Sequence, residues 1–216
     1  MNTLISHTRV IVVGLALTQM LVGSACTQPA ASTSGLPPGV FAGVRDLREA
    51  PAGKYALDPD HAAVIARVSH LGYSHSVFRF DRVQGALAWD PADPSKSTLT
   101  AAVQTASIAT NVKDFAAELA GDQYLKSAAF PQATFVSTAF RQVDATHGTV
   151  DGQFTLMGKT SPQSFDVALV GAGKGFGGHP RLGVSVHGSI KPQDFGLPPL
   201  LTEPIELVID TEFVKS

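Results

Sequence analysis

Cysteine is almost absent from this sequence, since Cys26 is the only one among 216 residues. One thiol cannot form a disulfide within the chain, and no paired cysteines exist that could bind a structural zinc ion. An HExxH motif is also missing. The sequence therefore excludes a disulfide framework and the commonest zinc patterns.

An excess of positive charge is missing as well. The chain has 16 Lys and Arg against 18 Asp and Glu, a formal net charge of −2. The cationic residues are scattered and form no stripe, so nucleic acid is not an expected partner. Apolar residues are plentiful at 44%, with 12 Phe but only one Trp. This supply is large enough to line a cavity as well as to fill a core.

No apolar run reaches the ~20 residues that a membrane-spanning helix needs. The longest, from Val10 to about Val22, follows Arg9 and precedes the small residues of "GSAC". This pattern predicts a secretory signal peptide at 1–25. The alternative, a permanent membrane anchor, is disfavoured because Thr18 and Gln19 interrupt the run.

Cys26 stands where bacterial lipoproteins carry their lipidated cysteine, although Gly23 replaces the leucine usual three residues earlier. We predict lipidation of Cys26, with ordinary cleavage near Ala25 as the alternative. The following segment, 26–52, is rich in Pro, Ser, Ala and Gly and predicts a flexible tether and lead-in. One folded domain is then expected over 53–216.

Strand patterns dominate that domain. Eight or nine segments alternate apolar and polar residues in meander order, which favours a barrel or a sandwich. The strand beginning at Ser76 changes its apolar parity between Phe80 and Val83, which predicts a bend. "DPD" at 58–60 is typical of a turn. Eight closed strands leave room for one small ligand or for a filling of side chains, and the sequence does not decide between them.

One helix is expected between the strands. Phe115 and Leu119 share a helical face, Asn111 is the predicted cap and Gly121 the predicted stop. No internal repeat is visible.

Three histidines, His61, His70 and His75, lie in one stretch. In an extended chain His61 and His70 would be about 30 Å apart, so they cannot share a metal ion. His70 and His75 alone are too few for zinc. We expect no metal site.

Other candidate sites also lack their context. Gly173, Gly175 and Gly178 form a GxGxxG, but a strand and not a helix follows, so a hairpin loop is predicted. "GVSVHG" has His187 where a nucleophile elbow needs Gly, and Ser185 lies in mid-strand. The acids Asp114, Glu118 and Asp122 predict a solvent-exposed helix face. No catalytic or cofactor site is expected.

An ordered series of motifs resembles the YceI-like family. Tyr55, Asp58, His61, His70, Gly72 and Ser74 match its Y-x-x-D-x-x-H and H-x-G-x-S patterns. "SIAT", "DQYLKSAAF", "PQATFVST", "VDGQFTLMGKTSP" and "DFGLP" follow in the family's order. The chain departs from the pattern at Ala62, Phe78, Lys191 and Pro192, and its connection at 130–131 is short. The three histidines then belong to a fold signature.

The resemblance implies an all-β fold: a lipocalin-like, eight-stranded antiparallel barrel that binds an isoprenoid or similar amphiphilic lipid. It also implies a periplasmic location, here with a possible anchor in the outer membrane through Cys26, and no enzymatic activity or cofactor. The predicted ligand-binding residues are Val64, Val68, Phe80, Phe115, Leu119, Phe135, Val150, Phe154, Leu156, Phe165, Val167 and Leu169.

Beside lipid binding, two other functional classes stay open at the level of sequence. The barrel could be packed solid and act as a stress-related or structural interaction protein. An enzyme using His70, His75 or Ser185 is the third class. An exposed strand edge could also pair two barrels into a homodimer.

Overall fold

The computed structural model describes residues 36–37, 40–175 and 177–216. The predicted signal peptide at 1–25, the predicted lipidation site Cys26 and the first part of the tether lie outside these residues. Within the described part of the chain, no helix is long and apolar enough to cross a membrane.

Strands account for most of the described chain. They are β1 (Gly53–His70), β2 (Ser74–Phe80), β3 (Val83–Trp89), β4 (Thr98–Gln104), β5 (Ile108–Ala109), β6 (Gln132–Gln142), β7 (His147–Leu156), β8 (Lys159–Lys174), β9 (Pro180–Ile190) and β10 (Ile205–Lys215). Two short helices, α1 (Phe115–Ala120) and α2 (Pro192–Phe195), interrupt them.

These strands form one closed antiparallel sheet. From β6 to β10 each strand pairs with the next, and β10 pairs with β1 to close the ring. β1 pairs with β3 at Gly53–Ala56 and with β2 at Val64–His70, so β2 and β3 act as one long bent strand. β5 pairs with β2, and β4 pairs with β3. The predicted eight-stranded barrel is therefore confirmed, as is the bend between Phe80 and Val83.

The predicted turn at 58–60 is wrong, because these residues lie inside β1. β1 pairs with β10 up to Leu57 and again from Ala62, and the register shifts between the two. Pro59 has no N–H to donate, and a bulge of this kind tolerates it since the ladder is already interrupted there. Gly53–His70 thus form one strand of 18 residues.

The predicted helix is shorter than its sequence pattern. α1 ends at the predicted stop, Gly121, but begins only after Asp114, not after the predicted cap Asn111. Asp114 has a φ of 62°, a left-handed conformation that a helix cannot contain. The second helix, α2, was not predicted; it starts at Pro192 and ends at Gly196, whose φ is 76°. Four residues are too few to show a helical period.

The meander gives the barrel two different ends. The β1–β2 turn, the segments containing α1 and α2, and the β7–β8 turn lie at one end, which we call the helix end. At the opposite, N-terminal end, the chain before β1 packs against the barrel. Val44 exchanges two backbone hydrogen bonds of 2.9 and 2.8 Å with Ala172 of β8. Ala50 is buried, and its carbonyl accepts a hydrogen bond from the Trp89 indole. The last part of the predicted 26–52 lead-in therefore covers this end.

Candidate ligand-binding cavity

The interior of the barrel is hollow. A cavity of about 1320 Å³ runs through it, lined by residues of every long strand. Pockets for drug-sized ligands span about 300–1,000 Å³, so this one is larger than most. The sequence left a hollow and a filled barrel as alternatives, and the structure has the hollow one.

All twelve predicted ligand-binding residues lie on the wall of this cavity. Ten come from strands β1, β2, β6, β7 and β8, and two come from α1; they are Val64, Val68, Phe80, Phe115, Leu119, Phe135, Val150, Phe154, Leu156, Phe165, Val167 and Leu169. Their position gives each of them access to a ligand inside the barrel. That they bind one stays a prediction.

The sequence analysis missed much of the wall contributed by the last two strands. Val184 and Val186 of β9, and Leu207 and Ile209 of β10, also face the cavity. Their alternation is as regular as that of the predicted residues. The available signal was that every strand of a closed barrel has one inward face, and it applies to β9 and β10 equally.

Two glycines make room for an aromatic pair in the wall. The rings of Phe135 and Phe165 meet edge to face, with centroids 5.3 Å apart. Phe135 lies over Gly152, where an added Cβ would come within 2.3 Å of the ring, and Phe165 lies over Gly188, where it would come within 2.4 Å. Because these positions lack a side chain, both rings lie against the wall and leave the centre of the barrel open.

More aromatic contacts cover the helix end. Phe115 of α1 packs between Phe78 and Tyr124, with both ring centroids 6.3 Å away. Phe195 of α2 is fully buried and packs edge to face on Phe154 at 5.3 Å. The two helices therefore cover parts of the cavity with apolar groups.

Exposed side chains line the cavity at both ends: Arg141, Gln142 and His147 do so around the β6–β7 turn, and another set does so at the helix end. Three cavity-lining apolar side chains there are exposed: Leu71, Val112 and Leu200. His70, His75 and Glu203 line the same region and are exposed too. This opening, which we call the mouth, thus combines apolar contacts with groups able to hydrogen-bond a polar head group.

The three histidines of the opening motif separate into two places. His70 and His75 line the mouth. His61 lies at the β1 bulge and contacts Asp58, with Nδ1 and Oδ2 2.9 Å apart. As the sequence predicts, His61 and His70 do not meet.

Asp58 belongs to a charged cluster that the sequence analysis missed. Arg181 donates to Asp58 at 2.7 Å and to Glu212 at 2.6 Å, joining β1, β9 and β10. Burial pushes the pKa of Asp58 upward, but the hydrogen bonds from Arg181, His61 and the Asp60 amide outweigh it and hold this pKa below 3.8. The two carboxylates raise the pKa of Arg181 in turn. No sequence spacing connects residues so far apart in the chain.

The same cluster contains metal-type ligands. Asp58, His61 and Glu212 are the one group of three, among the described residues, whose ligand atoms lie within 4.8 Å of one another. The guanidinium of Arg181 already supplies positive charge to both carboxylates. A metal ion would have to displace it, so the arrangement favours an ion-pair network.

The remaining sequence candidates have no catalytic geometry. Ser185 and His187 are 3.4 Å apart on the outer face of β9, beyond the ~2.6–3.2 Å of an activated nucleophile. β8 ends at Lys174 and β9 starts at Pro180, so Gly173 lies at the end of β8, and Gly175 and Gly178 belong to the predicted hairpin connection. These residues lie away from the cavity wall.

Known proteins resemble this chain in both sequence and fold. Residues 55–213 match the YceI-like domain. A UPF0312 protein of Pseudomonas putida strain W619 is 33% identical over 172 residues, covering 78% of this chain and 90% of that protein. The crystal structure of BcnA from Burkholderia cenocepacia is similar with a TM-score of 0.63 and 22% identity, over 74% of this chain and 99% of that one.

A polyisoprenoid binding domain from Saccharophagus degradans, implicated in plant cell wall breakdown, shares the fold as well. Its TM-score is 0.54 at 13% identity, over 77% of this chain and 100% of that domain. The match to the YceI-like domain spans most of the barrel, and the tyrosine, aspartate and histidine of the opening motif lie within it. The chain therefore belongs to the YceI-like family.

Proposed function

We propose that this protein binds a long-chain isoprenoid or a similar amphiphilic lipid in its barrel, and carries or sequesters it. The observation that supports this most is the cavity itself, about 1320 Å³ with predominantly aliphatic and aromatic walls. An apolar cavity of this size gives a hydrocarbon chain an alternative to water. A polar substrate would lose its hydrogen bonds to water there.

The volume limits the length of the ligand. A chain carbon takes up the ~30 Å³ of one water molecule, so about forty carbons would fill the cavity. Removing each methylene from water yields about 0.8 kcal/mol, so half that length already gives ~16 kcal/mol before the cost of ordering the chain. A long isoprenoid fits this volume better than a common fatty acid.

The ends of the cavity suggest how the lipid lies. Trp89 and Leu47 line it at the N-terminal end. His70, His75 and Glu203 line the mouth at the helix end. Gln142 and His147 also line the N-terminal end, so polar groups alone do not orient the lipid. We infer that the head group lies at the mouth, where exposed Leu71 and Leu200 accompany the polar groups, and that the chain extends toward Trp89.

The relatives are consistent with a binding role. The Saccharophagus degradans domain is a polyisoprenoid binding domain, although at 13% identity the similarity shows only that the two proteins share a fold. The proposal for this chain consequently rests on its own cavity. Binding, and not catalysis, is the function proposed, because the wall is predominantly aliphatic and aromatic.

The proposed place of action is the periplasm. It rests on the signal peptide predicted at 1–25 and on lipidation of Cys26, which would anchor the barrel to the outer membrane. A homodimer stays a prediction, and sedimentation of the mature protein would test it.

Native mass spectrometry of the mature protein tests the proposed function. The protein, purified from a periplasmic fraction, should carry a stoichiometric adduct that extracts into solvent as an isoprenoid. A bare mass that stays bare after incubation with quinones and polyprenols would contradict the proposal. It would favour the rival function, an interaction protein without a small ligand.

A pair of variants connects the adduct to the cavity. Phe154→Asp places a charge on the wall, whereas Gln153→Asp places one on the exposed neighbouring position of β7. We expect the first to lose the adduct and the second to keep it, with circular dichroism verifying that both are folded. Equal retention by the two variants would mean that the adduct binds elsewhere.

A further inference from the structure

The β1–β2 turn exposes a leucine in an unfavourable conformation. Tyr73 N–H donates to the His70 carbonyl at 3.0 Å, and the two central residues, Leu71 and Gly72, have φ values of 54° and 77°. Two positive φ values define a type I′ turn, whose first central position favours Asn, Asp or Gly. A leucine in this region is strained, and Leu71 is also 78% exposed. Neither backbone preference nor burial explains this residue, which points to a function for it.

Two other loops expose apolar side chains at the same opening. Val112, between β5 and α1, is 55% exposed, and Leu200, between α2 and β10, is 66% exposed. Both line the cavity together with Leu71. Tyr73, on the same turn as Leu71, is 86% exposed. We call Leu71, Tyr73, Val112 and Leu200 the apolar rim.

The chemistry of the rim fits a lipid bilayer. Leu and Val suit the hydrocarbon boundary, and Tyr is enriched where membrane meets water. Lys113 borders the rim together with the acids Asp114 and Glu203, so attraction to anionic lipid does not drive the docking. A cavity ligand of many methylenes cannot cross water freely, and its source is a membrane.

We propose that the apolar rim inserts into the surface of a phospholipid bilayer, so that the mouth opens directly onto the membrane. This rests on the proposed function, because the lipid cargo is what makes bilayer contact useful. The cargo then passes between bilayer and cavity without full exposure to water. The strained Leu71 is retained because it is the tip that enters the lipid.

Vesicle flotation with matched variants tests the docking. The mature chain carries Cys26→Ser in every sample, so that no acyl anchor contributes, and the vesicles contain phosphatidylethanolamine and phosphatidylglycerol. Leu71→Asn is the main variant, since Asn suits the left-handed position and keeps the turn intact. Val143→Ser is the control, because Val143 is 71% exposed at the opposite end of the barrel.

We expect Leu71→Asn to lower vesicle partitioning about tenfold or more, and Leu71→Asn with Leu200→Ser about a hundredfold, at unchanged or higher Tm. Val143→Ser should partition like the wild type, and added salt should have little effect. Wild-type partitioning in the double variant would overturn the proposal. Loss of self-association in place of vesicle binding would also overturn it, in favour of a face between two copies.

Loading experiments separate this proposal from the proposed function. A polyprenol is offered either from ethanol or from the same vesicles, and bound lipid is measured by native mass spectrometry. Tyr73→Ser changes a rim residue outside the cavity wall, so this variant should load normally from ethanol and slowly from vesicles. Wild-type protein that loads but does not float would refute the docking alone. Protein that floats but never loads would support the docking surface and refute the lipid-carrying function.

Discussion

Gly188 of β9 provides the sharpest test of the hollow barrel. A Cβ at this position would lie 2.4 Å from Cδ1 and 2.8 Å from Cε1 of Phe165. No backbone atom is among its nearest contacts. Gly188→Ala must therefore push the Phe165 ring away from the wall by about 1 Å to reach a normal contact. Phe165 lines the cavity, so the ring moves toward it.

The cost of this change depends on what fills the barrel. In a hollow barrel the ring moves into empty space, so the lipid-free protein loses less than ~1 kcal/mol of unfolding free energy. In a packed core the extra methyl would cost about 1–3 kcal/mol, or roughly 2–10 °C in Tm. The ligand, however, loses one or two carbon positions at about 0.8 kcal/mol each, which weakens binding about 4- to 15-fold.

The assay uses the single tryptophan of the chain. Trp89 lines the cavity, so a bound quinone should quench its fluorescence, and titration with quinones of graded tail length gives Kd values. Gly183→Ala on the same strand is the control, since its Cβ would meet nothing closer than 3.6 Å. We expect Gly188→Ala to raise the Kd of long-tailed quinones more than that of short-tailed ones, at nearly constant Tm. A fall of several degrees in Tm with unchanged Kd would refute the hollow barrel.

Three further predictions concern other parts of the chain. Because the folded pKa of Asp58 lies below 3.8, its carboxylate stabilises the fold above that pH, and the contribution is lost as the pH falls through the lower folded value. Asp58→Asn should therefore lower Tm at neutral pH, and the difference from wild type should shrink as the pH falls through the lowered pKa of Asp58; a constant difference would contradict the ion-pair assignment. Tyr55→Phe removes the 2.6 Å hydrogen bond to the Pro51 carbonyl and should cost about 1 kcal/mol in urea unfolding, with no change in ligand Kd. Cys26→Ser should move the protein from the membrane to the soluble periplasmic fraction, and an unchanged distribution would exclude lipidation as the anchor.

Two local features follow from short-range sequence rules. The bend between Phe80 and Val83 is visible as a change of parity, because side chains alternate strictly along a strand. The end of α1 at Gly121 follows from the preference of helices to stop at glycine. The start of α1 did not follow, because the left-handed Asp114 is a property of the folded connection.

The sequence by itself determined that this chain is a meander of two-faced strands with family motifs in order, since alternation and turn residues are local. Only the tertiary structure decided which face of each strand turns inward. Alternation with a period of two shows that a strand has two faces, but it does not show which of them points into the barrel. It also decided that the barrel is hollow. Cavity volume depends on where Phe135 and Phe165 lie against Gly152 and Gly188 of neighbouring strands, and such contacts exist only after the ring of strands has closed. The cluster of Asp58, Arg181 and Glu212, and the apolar rim around the mouth, arise for the same reason.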